Sequence, residues 1–295
     1  MSVPNRSFLL RHKLISMLRD IDVRGFRRLS VVLPKLLLPN PEKAGKHVLK
    51  TIHGVELLID PSVDKGVELS LFETGTYEKG TIQLLGDFLK PGSTFMDVGA
   101  NIGLMSVIAS RIVGEKGRVL AVEANPKTVE ILRHNAALNH CENIDFYPVA
   151  LGSENGTATL YENWEVNRGG ASLLSQDDSE GTEVPLWKLD ELFGDLQIDM
   201  IKMDVEGFEL EVLKGGINLL KASLPVLIIE VSEQREQEKG VSPKEISDFV
   251  KTIGNYQLFK QKGTKERRSK LVPILTDDDL PKHDNLVCVP MKRQS

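Results

Sequence analysis

The 295-residue sequence predicts an α/β protein with a doubly wound, mostly parallel seven-stranded sheet whose last strand is antiparallel. Three observations favour this fold class. From residue 94 onward, short runs rich in Val and Ile alternate with helical patterns, as βαβ units require. A glycine-containing turn follows the first of these runs, where such sheets bind ligands. The chain ends in two further strand-like runs that can close the sheet as an antiparallel pair.

Residues 1–46 form the first predicted unit, a basic helical arm. Residues 1–50 contain eleven Lys or Arg and three Asp or Glu, whereas the formal net charge of the whole chain is −5. The body is therefore acidic, which argues against nucleic acid as the main partner. We expect the arm to pack its Leu, Ile and Phe side chains on the body. Contact of the arm with an anionic membrane or an acidic partner is the alternative.

Residues 47–295 are predicted to form a single domain. It begins with a small hairpin around His53 and Gly54, followed by a helical stretch at 75–89. The five parallel strands are predicted at TFMDVGA, RVLAVEA, IDFYPVAL, DMIKMDV and PVLIIEV. The main helices that connect them are predicted at PKTVEILRHNAALN and ELEVLKGGINLLKA.

Two long polar segments interrupt this alternation. The first, about 151–192, is rich in Gly, Asn and Ser, with a predicted hairpin at GTATLYE and a short helix at KLDELFG. The second is a late loop at about 263–284. The remaining predicted elements are a helix near 243–254 and the closing strands YQLFKQ and NLVCVPM.

The turn after the first parallel strand is the first candidate binding element. Gly99 and Gly103 would let the backbone approach a ligand closely. A dinucleotide fingerprint would need glycine at positions 101 and 104, where the chain has Asn101 and Leu104, so a pyrophosphate cradle is not expected. Asp97 at the mouth of the turn would repel phosphate, and it suits a cationic or hydroxyl-bearing ligand.

Glu123, at the end of the second parallel strand, is the second candidate. An acid about twenty residues after the glycine turn typically accepts both hydroxyls of a ribose. A ribose without phosphates beside a positive centre describes S-adenosylmethionine, which we therefore predict as the cofactor. A structural turn followed by a surface acid is the alternative.

Three acids at the ends of the next two strands are the candidate catalytic residues. Methyl transfer to a hydroxyl requires the protein to position the acceptor and to remove its proton. If the strand geometry continued past Val205, Asp204 and Glu206 would point to one face, near Glu230. Clustered like charges would then raise one carboxyl pKa into a useful range. Asp204 is also a predicted cofactor contact, and Lys202 is expected to pair with a carboxylate.

Other roles for these acids stay open. The cluster could hold a divalent cation that acidifies the acceptor hydroxyl, although no metal is predicted as the default. In a purely structural role, Asp204 would cap the following helix and Glu206 would accept backbone amides.

The acceptor pocket is predicted to form from the segment 151–192 and the late loop 263–284. Both follow strands that end on the cofactor side, where loops carry function in such folds. The basic run KQKGTKERRSK at 260–270 is either a solvated loop or a contact for an anionic acceptor.

Several motifs together resemble one known family. DVGANIG, VEANP, NAALN, VALG, IKMDVEGFELEVLKGG and IIEV resemble, in order and spacing, the FkbM-type S-adenosylmethionine-dependent methyltransferases. The resemblance covers about 47–291, and GTYEKG at 75–80 and NRGGASLL at 167–174 extend it. It implies a Rossmann-like class I methyltransferase that acts mostly on hydroxyls of sugars, glycolipids or polyketides. It also adds Glu78 and Ala150 to the cofactor-binding residues.

Two other classes of function remain as alternatives. A non-catalytic S-adenosylmethionine-binding or scaffolding protein would share most of these residues. A small-molecule N-methyltransferase is the other, but DVEG stands where amino-group methyltransferases carry an Asn/Asp-Pro-Pro-aromatic segment. No run reaches the roughly 18 apolar residues of a membrane span, and the two cysteines fit no metal spacing. A cytoplasmic location is expected, with peripheral membrane contact as the alternative, and the oligomeric state is not indicated.

Overall fold

The structure, a computed structural model, describes residues 6–20, 32–34, 36–161, 181–233 and 241–291. The helices are α1 (Arg6–Asp20), α2 (Val67–Thr74), α3 (Lys79–Phe88), α4 (Leu104–Val113), α5 (Pro126–Leu138), α6 (Leu189–Phe193), α7 (Glu209–Gly215), α8 (Ile217–Ser223) and α9 (Pro243–Ile253). The strands are β1 (His47–Lys50), β2 (Glu56–Ile59), β3 (Thr94–Val98), β4 (Arg118–Val122), β5 (Ile144–Tyr147), β6 (Ala150–Leu151), β7 (Gly156–Tyr161), β8 (Gly181–Trp187), β9 (Met200–Met203), β10 (Val226–Ser232), β11 (Tyr256–Gln261), β12 (Leu271–Pro273) and β13 (His283–Pro290).

The central sheet confirms the predicted doubly wound α/β fold. Its strand order is β12-β11-β13-β10-β9-β3-β4-β5, and the last five strands of this order are mutually parallel. Strand β13 pairs antiparallel with both of its neighbours, as predicted for the closing strand. The sheet has eight strands and not seven, because part of the predicted late loop forms β12 and pairs with the edge strand β11.

Side chains that alternate along the strands supply two hydrophobic cores, one on each face of the sheet. On β3, Phe95 belongs to one core, whereas Met96 and Val98 belong to the other. The first core also takes buried residues of the β1–β2 hairpin and of α2 to α5, and the second takes those of α6 to α9. Helices therefore cover both faces and leave the carboxyl ends of the parallel strands for ligands.

Local capping explains where several helices begin and end. Asn125 caps α5 by accepting the Lys127 amide, and Ser242 caps α9 in a capping box with Glu245. The predicted helix ELEVLKGGINLLKA is divided into α7 and α8. A Cβ at Gly215 would overlap the carbonyl oxygen of Gly152. Glycine is therefore required where the end of α7 contacts the backbone after β6.

Three local predictions need correction. IDFYPVAL does not form one strand: it is interrupted at Pro148, so β5 joins the central sheet and β6 joins a separate three-stranded sheet. GTATLYE is a single strand, β7, and its antiparallel partner is β8. Helix α3 begins only at Lys79, after Glu78 in a left-handed conformation with φ +46°. Helix α2, where Asp64 accepts the amide of Glu68 at 2.9 Å, was not predicted.

The described part of the N-terminal arm packs on the body through one face of α1. Ile15 and Leu18 are buried, and the His12 Nε2 atom lies 2.6 Å from the carbonyl oxygen of Phe72. The Lys79 ammonium donates to the hydroxyl and the carbonyl of Ser16, at 3.0 and 3.1 Å. None of the described helices is long and apolar enough to cross a membrane.

Candidate functional site

Two adjoining cavities lie at the carboxyl ends of the parallel strands. We call them the Glu123 cavity, about 70 Å³, and the Glu230 cavity, about 370 Å³. They share four lining residues, Gly99, Asn101, Asp204 and Glu206. Six predicted site residues thus line one cavity or both, and Glu78 and Ala150 line one each, as the family resemblance implied. The shared residues place the two cavities side by side at the ends of the strands.

The turn after β3 brings the backbone of two strands together. Gly99 has φ +78°, and a Cβ at this position would overlap the carbonyl oxygen of Asp204. Asn101 is also left-handed, with φ +49°, and its side-chain oxygen accepts the amide of Ile102 at 2.7 Å. Glycine at residue 99 is therefore required mainly because the backbone of Asp204 packs against it. Gly99 also lines both cavities without adding a side chain to them.

Asp97 and Gly103 lie elsewhere than predicted. Asp97 is fully buried behind the turn, where it accepts a hydrogen bond from the Ser106 hydroxyl at 2.6 Å, and burial raises its pKa. Gly103 begins α4 with φ +94°, and a Cβ there would overlap the side chain of Leu132. Among the described residues, these two line neither cavity. Asp97 stands within β3 and not after it, so its side chain enters the protein interior.

Glu123 lies directly after β4 and holds the glycine turn in place. Its Oε2 atom accepts the amide of Asn101 and its Oε1 atom accepts the amide of Asn125, both at 2.9 Å. Burial raises the pKa of Glu123, and the two backbone hydrogen bonds oppose that change. Its carboxylate lines the smaller cavity, so the same group orients the turn and faces the ligand space.

Three carboxylates meet in the Glu230 cavity: those of Glu78, Asp204 and Glu230. One oxygen of each lies within 4.8 Å of the other two. Strand pairing explains why Asp204 and Glu230 meet, because Ile229 of β10 is in register with Met203 of β9 and the residues that follow them are therefore neighbours. The predicted convergence of Asp204 and Glu230 is confirmed.

Two lysines neutralise part of this charge. The Lys265 ammonium lies 2.6 Å from Oε1 of Glu78 and 2.7 Å from Oε1 of Glu230. The Lys202 ammonium lies 3.4 Å from Oδ2 of Asp204, which confirms its predicted pairing with a carboxylate. The site is thus a network of alternating charges and not an acidic cluster alone.

The two neighbouring carboxyls differ in protonation. Burial and the charge of Asp204 raise the pKa of Glu230 to about 9. Burial would also raise the pKa of Asp204, but the ammonium groups of Lys202 and Lys265 hold it below its usual range. At neutral pH the pair therefore holds one proton between its two members.

Glu206 does not lie where a continuing strand would place it. Strand β9 ends at Met203, and the chain then turns through Glu206 and Gly207 with φ +56° and +98°. Glu209, which the sequence analysis overlooked, holds this turn by accepting the amides of Val205 and Gly207 at 3.2 and 3.1 Å. Glu206 lines both cavities but stands outside the three-carboxylate cluster. The DVEG segment is thus a turn that lines both cavities, and it does not continue the strand.

In the GTYEKG motif, Glu78, Lys79 and Gly80 each contact a different part of the protein. Glu78 pairs with Lys265 and accepts the Thr81 hydroxyl at 2.9 Å. Lys79 binds α1, as described above. Gly80 donates its amide to the Lys265 carbonyl oxygen at 2.7 Å, and a Cβ at residue 80 would overlap that oxygen. The motif therefore fixes the late loop, from which Lys265 and Glu266 enter the Glu230 cavity.

The other predicted acceptor segment is described only in part. Leu151 and Leu160 line the Glu123 cavity, so the described part of 151–192 lies on that side. NRGGASLL at 167–174 lies outside the described residues, and its predicted place in the acceptor pocket stays a prediction.

Comparison with known proteins identifies the family. Residues 97–259 match the profile of the Methyltransferase FkbM domain, which is more than half of the chain. The chain is 30% identical over 177 residues to hexuronic acid methyltransferase AglP of Haloferax volcanii, a match that covers 59% of this chain and 67% of that protein. It is 35% identical over 94 residues to ribosomal protein L11 methyltransferase of Caldanaerobacter subterraneus, covering 31% of this chain and 28% of that protein.

Among solved structures, the chain is similar to methyltransferase FkbM from Methylobacillus flagellatus KT. That match has 18% identity and a TM-score of 0.43, and it covers 95% of this chain and 58% of the other. The sheet, the glycine turn and the acid after β4 define a Rossmann-like domain of the methyltransferase class. The chain belongs to the FkbM methyltransferase family, as its motifs predicted. It is thereby an S-adenosylmethionine-dependent methyltransferase.

The residues of the two cavities fit this cofactor. Apolar side chains such as Val122, Leu160 and Phe208 line the Glu123 cavity and suit an adenine ring. The Glu123 carboxylate in this cavity is the kind of group that accepts the two hydroxyls of a ribose in such folds. Acidic residues outnumber the two lysines in the Glu230 cavity, which suits a positively charged sulfonium.

Proposed function

We propose that this methyltransferase O-methylates a hydroxyl of a sugar, glycolipid or polyketide-like acceptor in the Glu230 cavity. The observation that carries the proposal is the Asp204–Glu230 pair beside Gly99, where a proton acceptor borders the predicted cofactor space. The similarity to a hexuronic acid methyltransferase supports a sugar-like acceptor.

The residues divide the work of binding and proton transfer. When bound, S-adenosylmethionine supplies an activated methyl group, so the protein has to position the acceptor and take its proton. We assign cofactor binding to Gly99, Asn101, Glu123 and Ala150, with Asp204 and Glu78 at the border of the acceptor space. The acceptor O–H proton passes to the Asp204–Glu230 pair as the new C–O bond forms. Lys202 and Lys265 keep the pair in place while its charge changes.

The pH dependence of turnover should report the pair. Because the pKa of Glu230 is raised to about 9, the pair holds a proton at neutral pH and becomes fully ionised only above that value. A fully ionised pair is the stronger base. We therefore expect kcat to rise with pH, roughly tenfold per unit below about 9 at the steepest, and then to level. A kcat profile from pH 6.5 to 10 measures this, and Glu230→Gln should abolish the rise. The same rise in that variant would exclude the pair as the base.

The class of reaction is tested by separating binding from turnover. Isothermal titration calorimetry with S-adenosylmethionine, followed by transfer of labelled methyl groups to arrays of glycans, glycolipids and small amines, distinguishes the alternatives. We expect micromolar or tighter cofactor binding and label on hydroxyl-bearing acceptors. Binding without transfer to any acceptor would favour the non-catalytic alternative, and label on amines alone would favour N-methylation.

The exposed face of α1 supports the peripheral membrane contact considered above. Leu10, Leu14 and Met17 follow helical spacing and are 66%, 43% and 57% exposed, although the opposite face of α1 is buried. Exposed Arg11 and Lys13 lie among them, so the charge suits an anionic lipid surface. We propose that this face docks on such membranes.

Vesicle flotation tests the proposed membrane contact. The protein should float with vesicles that contain phosphatidylserine, and Leu10→Ser combined with Leu14→Ser should reduce binding by at least about tenfold. The exposed Leu275→Ser, far along the chain, serves as the matched control. Equal flotation of all variants, or a concentration-dependent dimer that the double substitution dissolves, would contradict the membrane proposal.

A further inference from the structure

Lys265, in the late loop, pairs with two of three carboxylates that together could bind a metal ion. Three carboxylate oxygens within 4.8 Å of one another form a donor set that hard divalent cations prefer. The Lys265 ammonium contacts two of these three residues, at 2.6 Å from Oε1 of Glu78 and 2.7 Å from Oε1 of Glu230. The side chains of Lys265, Glu78 and Glu230 are 11%, 2% and 17% exposed, so solvent screens these contacts little.

Backbone contacts hold Lys265 in this position. Its amide donates to both carboxylate oxygens of Asp284, at 2.9 and 3.1 Å, and its carbonyl oxygen accepts the amide of Gly80 at 2.7 Å. Gly80 belongs to the start of α3, and Asp284 belongs to β13. Hydrogen bonds to α3 and β13 thus fix the backbone of Lys265, and this fixed backbone places the ammonium beside the acids.

We propose that Lys265 is the resident cation of the site: it holds Glu78 and Glu230 in place and excludes a divalent metal ion. Lys265 is a positioning residue, because it acts through the carboxylates that it contacts. The inference rests on the proposed function, since Lys265 would position carboxylates of the same acidic cluster that is proposed to take the acceptor proton. Unlike a metal ion, this cation is part of the chain itself, in the late loop.

Manganese binding tests the inference without cofactor, acceptor or turnover. Mn²⁺ is titrated into the full chain, and free Mn²⁺ is measured by electron paramagnetic resonance. We expect no saturable site in the wild type up to about 1 mM Mn²⁺, whereas Lys265→Met should bind one ion at least tenfold more tightly than any wild-type site. Lys265→Arg keeps the positive charge and should exclude the metal as the wild type does. Lys270→Met, at an exposed lysine of the same run, is the matched control.

Two further variants make the result decisive. Adding Glu78→Gln to Lys265→Met removes one donor and should abolish the gained Mn²⁺ site, which excludes binding elsewhere on the surface. If Lys265→Met does not fold, judged by circular dichroism, Lys265→Gln replaces it with a smaller change in polarity. Saturable Mn²⁺ binding by the wild type, or no gain in folded Lys265→Met or Lys265→Gln, would overturn the inference. Because no acceptor is used, a wrong acceptor class would leave this result unchanged.

Discussion

Replacing Asp204 with asparagine should lower turnover by about 10²–10⁴-fold, with S-adenosylmethionine affinity changed by less than about tenfold. Asparagine keeps the size of the side chain and one oxygen acceptor, but it cannot take the acceptor proton. The loss should be large because asparagine removes one of the two carboxylates of the pair that receives the acceptor proton in the proposed reaction. Single-turnover rates and calorimetric cofactor titrations of the same preparation measure both quantities.

Matched variants separate this role from general charge effects. Asp278→Asn removes an exposed carboxylate of the late loop and should leave turnover unchanged. Glu206→Gln tests whether the turn acid, which stands outside the cluster, shares the proton-transfer role predicted for it. If Asp204→Asn retained wild-type turnover, the pair would be structural. If millimolar Mg²⁺ or Mn²⁺ restored the activity of this variant, a metal-assisted role would replace the direct base.

The parallel strands and their order of appearance were predictable from the sequence for a physical reason. A parallel strand covered on both faces needs apolar side chains at nearly every position, and β9 and β10 show such runs. Helices with strong caps, such as α9, were equally clear. The short helix α2 was not, since its N-cap position is Gly66 and the acceptor for its first turn is Asp64, two residues earlier.

The positions of site residues were predictable near the ends of strands. They were not predictable in a tight turn, or where a residue comes from a distant part of the sequence. Glu123, Asp204 and Glu230 were found because each lies at or near the carboxyl end of a parallel strand, and parallel strands end at one edge of the sheet. Glu206 was misplaced because the left-handed turn at Glu206 and Gly207 ends the alternation of side chains. A periodicity argument cannot anticipate such a turn, although the glycine that follows is a signal for it.

Lys265 shows a second limit of sequence reasoning. It lies in a run of charged residues, a pattern most often found in solvated loops. Its partners Glu78 and Glu230 stand in distant parts of the chain, so only the folded structure shows that one lysine of the run points inward. Gly80 within GTYEKG was the available clue, because an apparently unneeded glycine at a helix start indicates close approach of another segment.

Glu123→Ala should weaken S-adenosylmethionine binding by about 1.5–3 kcal/mol, or about 10- to 150-fold in Kd. The proposed hydrogen bonds from the ribose hydroxyls to the carboxylate are charge-assisted, and alanine removes both acceptors. The substitution also frees the amides of Asn101 and Asn125, which Glu123 accepts at 2.9 Å, so the glycine turn loses its support. Both effects weaken cofactor binding, and calorimetric titration measures their sum.

Conservative and control variants distinguish the loss of the ribose contact from the loss of support for the glycine turn. Glu123→Gln keeps one oxygen acceptor and the length of the side chain, so it should support the turn better and lose less affinity than Glu123→Ala. Glu130→Ala, at an exposed acid on α5, should bind the cofactor as the wild type does. A thermal unfolding midpoint close to that of the wild type in Glu123→Gln, together with weaker binding, would isolate the direct contact. Wild-type affinity in Glu123→Ala would place the ribose elsewhere and remove the Glu123 cavity from the cofactor site.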